Sequence, residues 1–96
     1  MRFVFDWDPR KAAGNLAKHG VSFDDAMTVV LDPDALTIFD PDHSDAEDRW
    51  VTIGEATGSK VLLAIHTYVD GVVSVRIISA RRPARREAGE YRRRVQ

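Results

Sequence analysis

The sequence predicts an α+β domain, with helices packed on one face of an antiparallel sheet. Three observations carry this. Short β-branched or alternating apolar segments recur at Phe3–Trp7, Leu36–Phe39, Arg49–Glu55, Val61–Tyr68 and Val73–Ser79. Two stretches with helical spacing lie between the first and second of these, and a third follows Pro83. Asp70-Gly71, a tight-turn dipeptide, separates the last two strands and sets them antiparallel. The order is a short N-terminal strand, two helices, an antiparallel four-strand meander and a C-terminal helix, in one domain over residues 1–96.

Each element has a local cause. In FVFDW, Phe3, Phe5 and Trp7 alternate with Val4 and Asp6 at period two. Asp8-Pro9 then opens a helix as N-cap and first-turn proline. Ala12, Ala13, Leu16 and Ala17 supply its buried side, Lys18 and His19 suit the negative end of its dipole, and Gly20 caps it. Ser22, with Asp25 three residues on, starts the second helix, whose stripe is Phe23, Ala26, Met27 and Val30. Asp32-Pro33 ends it. Leu36–Phe39 is followed by an acidic loop, DPDHSDAED, from Asp40 to Asp48. In the third strand Trp50 and Thr52 face away from Val51 and Ile53, and Thr57-Gly58-Ser59 turns the chain into its most apolar, central strand. Pro83 stops the fifth strand and suits the first turn of the last helix, where Ala84, Ala88, Tyr91 and Val95 make a narrow stripe. Ion pairs Arg86–Glu90 and Glu90–Arg94 are expected on its surface.

Charge is unevenly distributed. The net value is −1, yet residues 1–55 hold five Lys/Arg against twelve Asp/Glu, net −7, and residues 56–96 hold nine against three, net +6. Eight arginines fall between Arg76 and Arg94. Such a basic end reads as a surface for a polyanion, and the acidic remainder limits indiscriminate sticking. With no cysteine there is no disulfide framework, which fits a reducing cytoplasm. The first residues lack an apolar signal-peptide core, and no run approaches a membrane span, so a cytoplasmic protein without membrane contact is expected.

Several chemistries find no support. His19, His43 and His66 have no ligand spacing, the acidic loop lacks the calcium-loop pattern, and no glycine-rich phosphate loop or nucleophile elbow is present. No metal site and no cofactor are expected. Metal-free scission of a phosphodiester remains. It needs a base, an acid and fixed positive charge at the phosphorane. Arginine supplies that charge and binds phosphate oxygens in pairs. The cationic candidates are Arg49, Arg76, Arg81 and Arg82 with Lys18 and His19, and the proton carriers are His19, His66 or Glu47. Arg85 and Arg86 extend the cationic surface for RNA. Tyr91 can stack on a base or pack in the core. Arg76 is the most informative: a cation between Val75 and Ile77 must reach solvent, an acid or a ligand. A two-residue turn places Ile65 opposite it, and a three-residue turn places His66 there, on the same face.

FDWDPRKAAGNLAKHGVSF, EDRWVTIG and RIISARRPARREAGEYR together resemble the BrnT family of type II toxins, in the same order along nearly the whole chain. The resemblance implies a RelE-like ribonuclease that arrests translation by cleaving RNA. It also implies a BrnA-like antitoxin partner, in a complex that represses its own operon. By motif it implies functional roles for Lys18 and His19 in KHG, Glu47 and Arg49 in EDR, and Arg76 and Arg81 in RIISAR. A homodimer or a toxin–antitoxin heterotetramer, paired through an open strand edge, is a further expectation. The alternative is a small module that binds RNA or a partner without catalysis.

Overall fold

In the computed structural model, which describes residues 3–69 and 74–95, the elements form where their local signals fall, but Ala13, Leu16 and Ala17 of the first helix are exposed and its buried residue is Asn15. Strand β1 (Val4–Asp6) leads to helices α1 (Pro9–His19) and α2 (Phe23–Val30). Strands β2 (Leu36–Asp40), β3 (Arg49–Glu55), β4 (Val61–Val69) and β5 (Ser74–Arg81) follow, then helix α3 (Arg85–Val95). The Asp8 side chain caps α1 by accepting from the Arg10 N–H, and Gly20 ends it in the left-handed region at φ 68°. Ser22 caps α2 through the Asp25 N–H. Asp70-Gly71 lies outside the described residues.

The sheet has five strands in the order β1-β5-β4-β3-β2. Strands β2 to β5 pair antiparallel with their chain neighbours, and β1 runs parallel beside β5. The sheet is therefore mixed, and helices cover both faces instead of one. Leu62, Ala64, Val75, Ile77 and Ala80 pack against Phe23, Ala26 and Val29 beneath α1 and α2. On the other face Ile53 and Leu63 pack against Tyr91 of α3. Period-two alternation makes both cores from the same strands.

Three polar anchors fix the layers. Buried Asn15 of α1 donates to the carbonyls of Val21 and Ala80 and accepts from the Ala80 N–H, at 2.8–3.1 Å. Its amide stands in for a strand along the edge of β5 beyond the reach of short β1. Asp32, at the end of α2, accepts from the Glu55 N–H and the Tyr91 hydroxyl. Gly54 allows this approach, since a Cβ there would lie 2.9 Å from the Val29 carbonyl oxygen. At the start of α3, Glu87 accepts from the Ala84 N–H and takes the Arg81 guanidinium in a two-pronged pair. That helix begins at Arg85, so Pro83 precedes it. Neither Arg86–Glu90 nor Glu90–Arg94 forms an ion pair; Arg94 donates instead to the Asp34 carbonyl.

Replacing Asn15 by alanine strands an N–H and two carbonyls in the interior. We expect a loss of about 3 kcal/mol, read as a fall of more than roughly 10 °C in the thermal midpoint.

Candidate functional site

A β-bulge decides where the β5 arginines point. Leu63 opposes Arg81 and Ile65 opposes Ser79, but His66 opposes Ile77 and Thr67 opposes Arg76. Ile78 is the extra residue. Arg76 and Arg81 are five positions apart, an odd number, and would face opposite ways on a regular strand. The bulge brings both to the α3 face. His66 alternates with Thr67 and belongs to the α1/α2 face, so it does not pair with Arg76.

Helix α3 covers only one end of its face. At the uncovered end Arg76 lies 4.0 Å from the Asp6 carboxylate, with the two side chains 51% and 66% exposed. A pair this open binds weakly and yields readily to another anion. Asp40 opposes Arg49 and Trp50 opposes His66, so the continuing register sets Arg49 in the row of Thr67 and Arg76. One row thus holds Arg49, Thr67, Arg76 and Asp6. Glu47 and Arg49 also line a shallow hollow with Asp42, His43 and Asp45.

A second concavity lies along α3. Ser59, Val61, Arg82, Pro83, Arg85, Ala88 and Arg92 line a cleft of about 490 Å³. Among the described residues no carboxylate lines it, and none of its three arginines forms an ion pair. Arg85 and Arg92 are seven residues apart and share a helix face. That spacing was the available signal for Arg92, which composition alone left among its neighbours. Arg81 is differently employed. Its hydrogen bonds to Glu87 favour the charged guanidinium and hold the Glu87 carboxyl below its usual range. Arg81 fastens α3 to the sheet and lies about 16 Å along β5 from Arg76.

The remaining sequence candidates are elsewhere. His66 is 0% exposed, its Nε2 hydrogen-bonded at 2.7 Å to Thr52 Oγ1, which also meets Thr37 Oγ1. Burial pushes its pKa down to about 4, and the Thr67 backbone offsets little of this. Tyr91 is 5% exposed with its hydroxyl on Asp32, so its ring serves the core. Burial and the Asp32 carboxylate push its pKa up to about 12. Lys18 and His19 end α1, in the layer on the other side of the sheet from Arg76. Arg86 is exposed on α3. The arrangement therefore sets Arg49 and Arg76 in one row, Glu47 in the hollow at Arg49, and Arg82, Arg85 and Arg92 in the cleft, and it leaves His19, His66 and Tyr91 apart from these.

This combination, guanidinium groups at the uncovered end of a sheet face and an arginine cleft along α3, suits a polyanionic chain. A family model described as ribonuclease toxin, BrnT, of type II toxin–antitoxin system matches residues 7–87. The chain belongs to the BrnT family. It is similar to the crystal structure of the Brucella abortus ribonuclease toxin BrnT, with 29% identity, a TM-score of 0.61, and coverage of 88% of this chain and 99% of that one. No curated protein matches it. As a BrnT protein it is a ribonuclease toxin of a type II toxin–antitoxin system, with RNA as substrate and an antitoxin protein as partner. Among the described residues no helix is long and apolar enough to cross a membrane. Among the described residues no three His, Asp or Glu side chains converge to hold a metal ion.

His66 also sets an acid limit on this BrnT fold. Its pKa is about 4 when folded and 6.5 when exposed, so the unfolded chain binds more protons between these values. Its stabilisation is complete above about pH 6.5 and is lost as pH falls toward 4, by about 3 kcal/mol in all. Denaturant unfolding at stepped pH measures this slope, and His66→Gln flattens it.

Proposed function

We propose that this toxin cleaves single-stranded RNA without a metal ion, at the row of Arg49 and Arg76, and so arrests translation. The observation that carries the proposal is the shared row of these two guanidinium groups, which among the described residues form no ion pair beyond the loose one from Arg76 to Asp6. In this reading the ribose 2′-oxygen attacks the neighbouring phosphorus and gives its proton to Glu47. The bond from phosphorus to the 5′-oxygen breaks, and water protonates the departing oxygen. The products are a 2′,3′-cyclic phosphate and a 5′-hydroxyl end. Arg49 and Arg76 neutralise the charge that builds on the phosphorane. Arg82, Arg85 and Arg92 hold phosphates further along the strand. Arg81 acts as a positioning residue, through Glu87 and α3.

The wider reading follows the same family. The helices flanking β2 to β5 support a RelE-like arrangement. A BrnA-like antitoxin neutralises the toxin, in a heterotetramer or with a toxin homodimer, in the cytoplasm where the RNA is found. A second reading, in which RNA is held without being cut, draws on the arginine cleft alone, since no proton carrier lines it.

Purified protein is expected to cut RNA in excess chelator. Arg76→Ala and Arg49→Ala should each reduce the rate about 10²-fold or more, with equal cleavage by wild type and variants, or none by either, removing the proposal. In a filter-binding series against salt, Arg85→Ala with Arg92→Ala should weaken RNA binding and lower the log–log slope by about 1.4, for two phosphate contacts on a single strand.

A further inference from the structure

Strand β2 presents an unfinished edge. It pairs with β3 on one side, and nothing follows it in the sheet. Before the strand, Arg94 Nε donates to the Asp34 carbonyl, and at its last residue Ser44 Oγ bridges β2 to β3, accepting from the Arg49 N–H and donating to the Asp40 carbonyl. Between these, no backbone group of Leu36 to Phe39 has a partner outside the ladder to β3 among the described residues. Apolar side chains stand exposed on both faces of this edge, Ile38 at 45% and Phe39 at 38%. An edge strand of a self-sufficient protein is usually guarded by lysine, proline or a bulge. Thr37-Ile38-Phe39 has none of these.

The surroundings are acidic. Between Gly20 and Asp48 there are nine Asp/Glu and no Lys or Arg. The cations that approach the strand, Arg94 at Asp34 and Arg49 opposite Asp40, stand at its two ends. This charge repels RNA, which the basic faces attract. It also opposes a second copy of the same strand, because two-fold pairing of β2 with β2 brings acidic loops together.

We propose that β2 is the docking edge for the antitoxin. An extended antitoxin segment adds as a sixth strand, with apolar side chains against Ile38 and Phe39 and Lys/Arg side chains toward the acidic loop. Main-chain hydrogen bonds supply affinity, and the alternating side chains with the opposite charge supply selectivity. This rests on the reading of the chain as a toxin with an antitoxin, and it adds which surface is used and what chemistry the partner segment carries.

The test is calorimetric titration of the purified toxin with its full-length antitoxin. Ile38→Lys and Phe39→Lys place a cation on the edge at exposed positions, and Leu16→Lys, at an exposed position on α1, is the control. We expect Kd to rise about 30-fold or more for the edge variants and to stay within about threefold for Leu16→Lys, with thermal midpoints near wild type for Ile38→Lys and Leu16→Lys and lower for Phe39→Lys, which loses its contact with Trp50. Wild-type affinity should fall as salt is raised. Unchanged Kd in both edge variants overturns the proposal. So does a wild-type homodimer in sedimentation that Ile38→Lys disperses while antitoxin affinity holds. RNA cleavage by the free toxin is read separately. Its absence strikes at the ribonuclease reading, and the Kd comparison still decides the docking edge.

Discussion

One extra residue in β5 governs the chemistry of this molecule. Strand side chains alternate with period two, so a shift of one place in register reverses every position beyond it. Continuing the pairing of Leu63 with Arg81 unchanged would set Arg76 opposite Tyr68, toward the apolar core beneath α1 and α2. Burying a guanidinium there without a partner costs several kcal/mol. With the bulge at Ile78, Val75 and Ile77 enter that core, and Arg76 goes to the open side with Thr67. The same step sends His66 inward, where its imidazole must remain neutral. A single irregularity thus exposes the cation and buries the histidine.

The carboxylates divide into fasteners and field. Asp32 and Glu87 each join parts of the chain far apart in the sequence or in the fold. Asp32 links α2, β3 and α3, and Glu87 closes the start of α3 onto Arg81. Both carboxylates are half-buried, and the contact costliest to break is that of Asp32 with Tyr91, whose hydroxyl belongs to a buried residue and would be left without a partner. Two consequences meet at α3. The helix is held at its start by Arg81 of β5, and two of its own arginines, Arg85 and Arg92, line a cleft with Arg82. The acidic side chains of β2 and its following loop have few such structural duties, and they set a potential opposite to that of the arginine face. One small domain thereby separates a surface for nucleic acid from a surface for protein.

Local structure was legible in the residues because its causes are local. Asp8-Pro9, Gly20, Ser22 and Asp32-Pro33 set helix ends through hydrogen bonds spanning two to four residues, and these helices begin and end there. The alternation in Arg49–Glu55 likewise separates Thr52 from Ile53. The family was legible too, since its motifs run the length of the chain. The parallel placement of β1 beside β5 was not, because a three-residue strand carries no signal for which edge it joins. Nor was Asn15 recognisable as an anchor. Its partners are Val21 and the distant Ala80, and an asparagine within a helix looks like an ordinary surface residue until the sheet arrives.

By itself, then, the sequence determined the elements, the α+β class, the charge division and the arginine-rich end, all properties of neighbouring residues. Tertiary structure alone decided which cations are free. Arg81 is occupied by Glu87, Arg76 is nearly unoccupied, and Arg85 and Arg92 share a cleft with Ser59 from a different turn. The physical reason is that pairing and facing depend on register and on helix docking. Those are settled by burial across the whole sheet, where one bulge outweighs any preference of the individual residue.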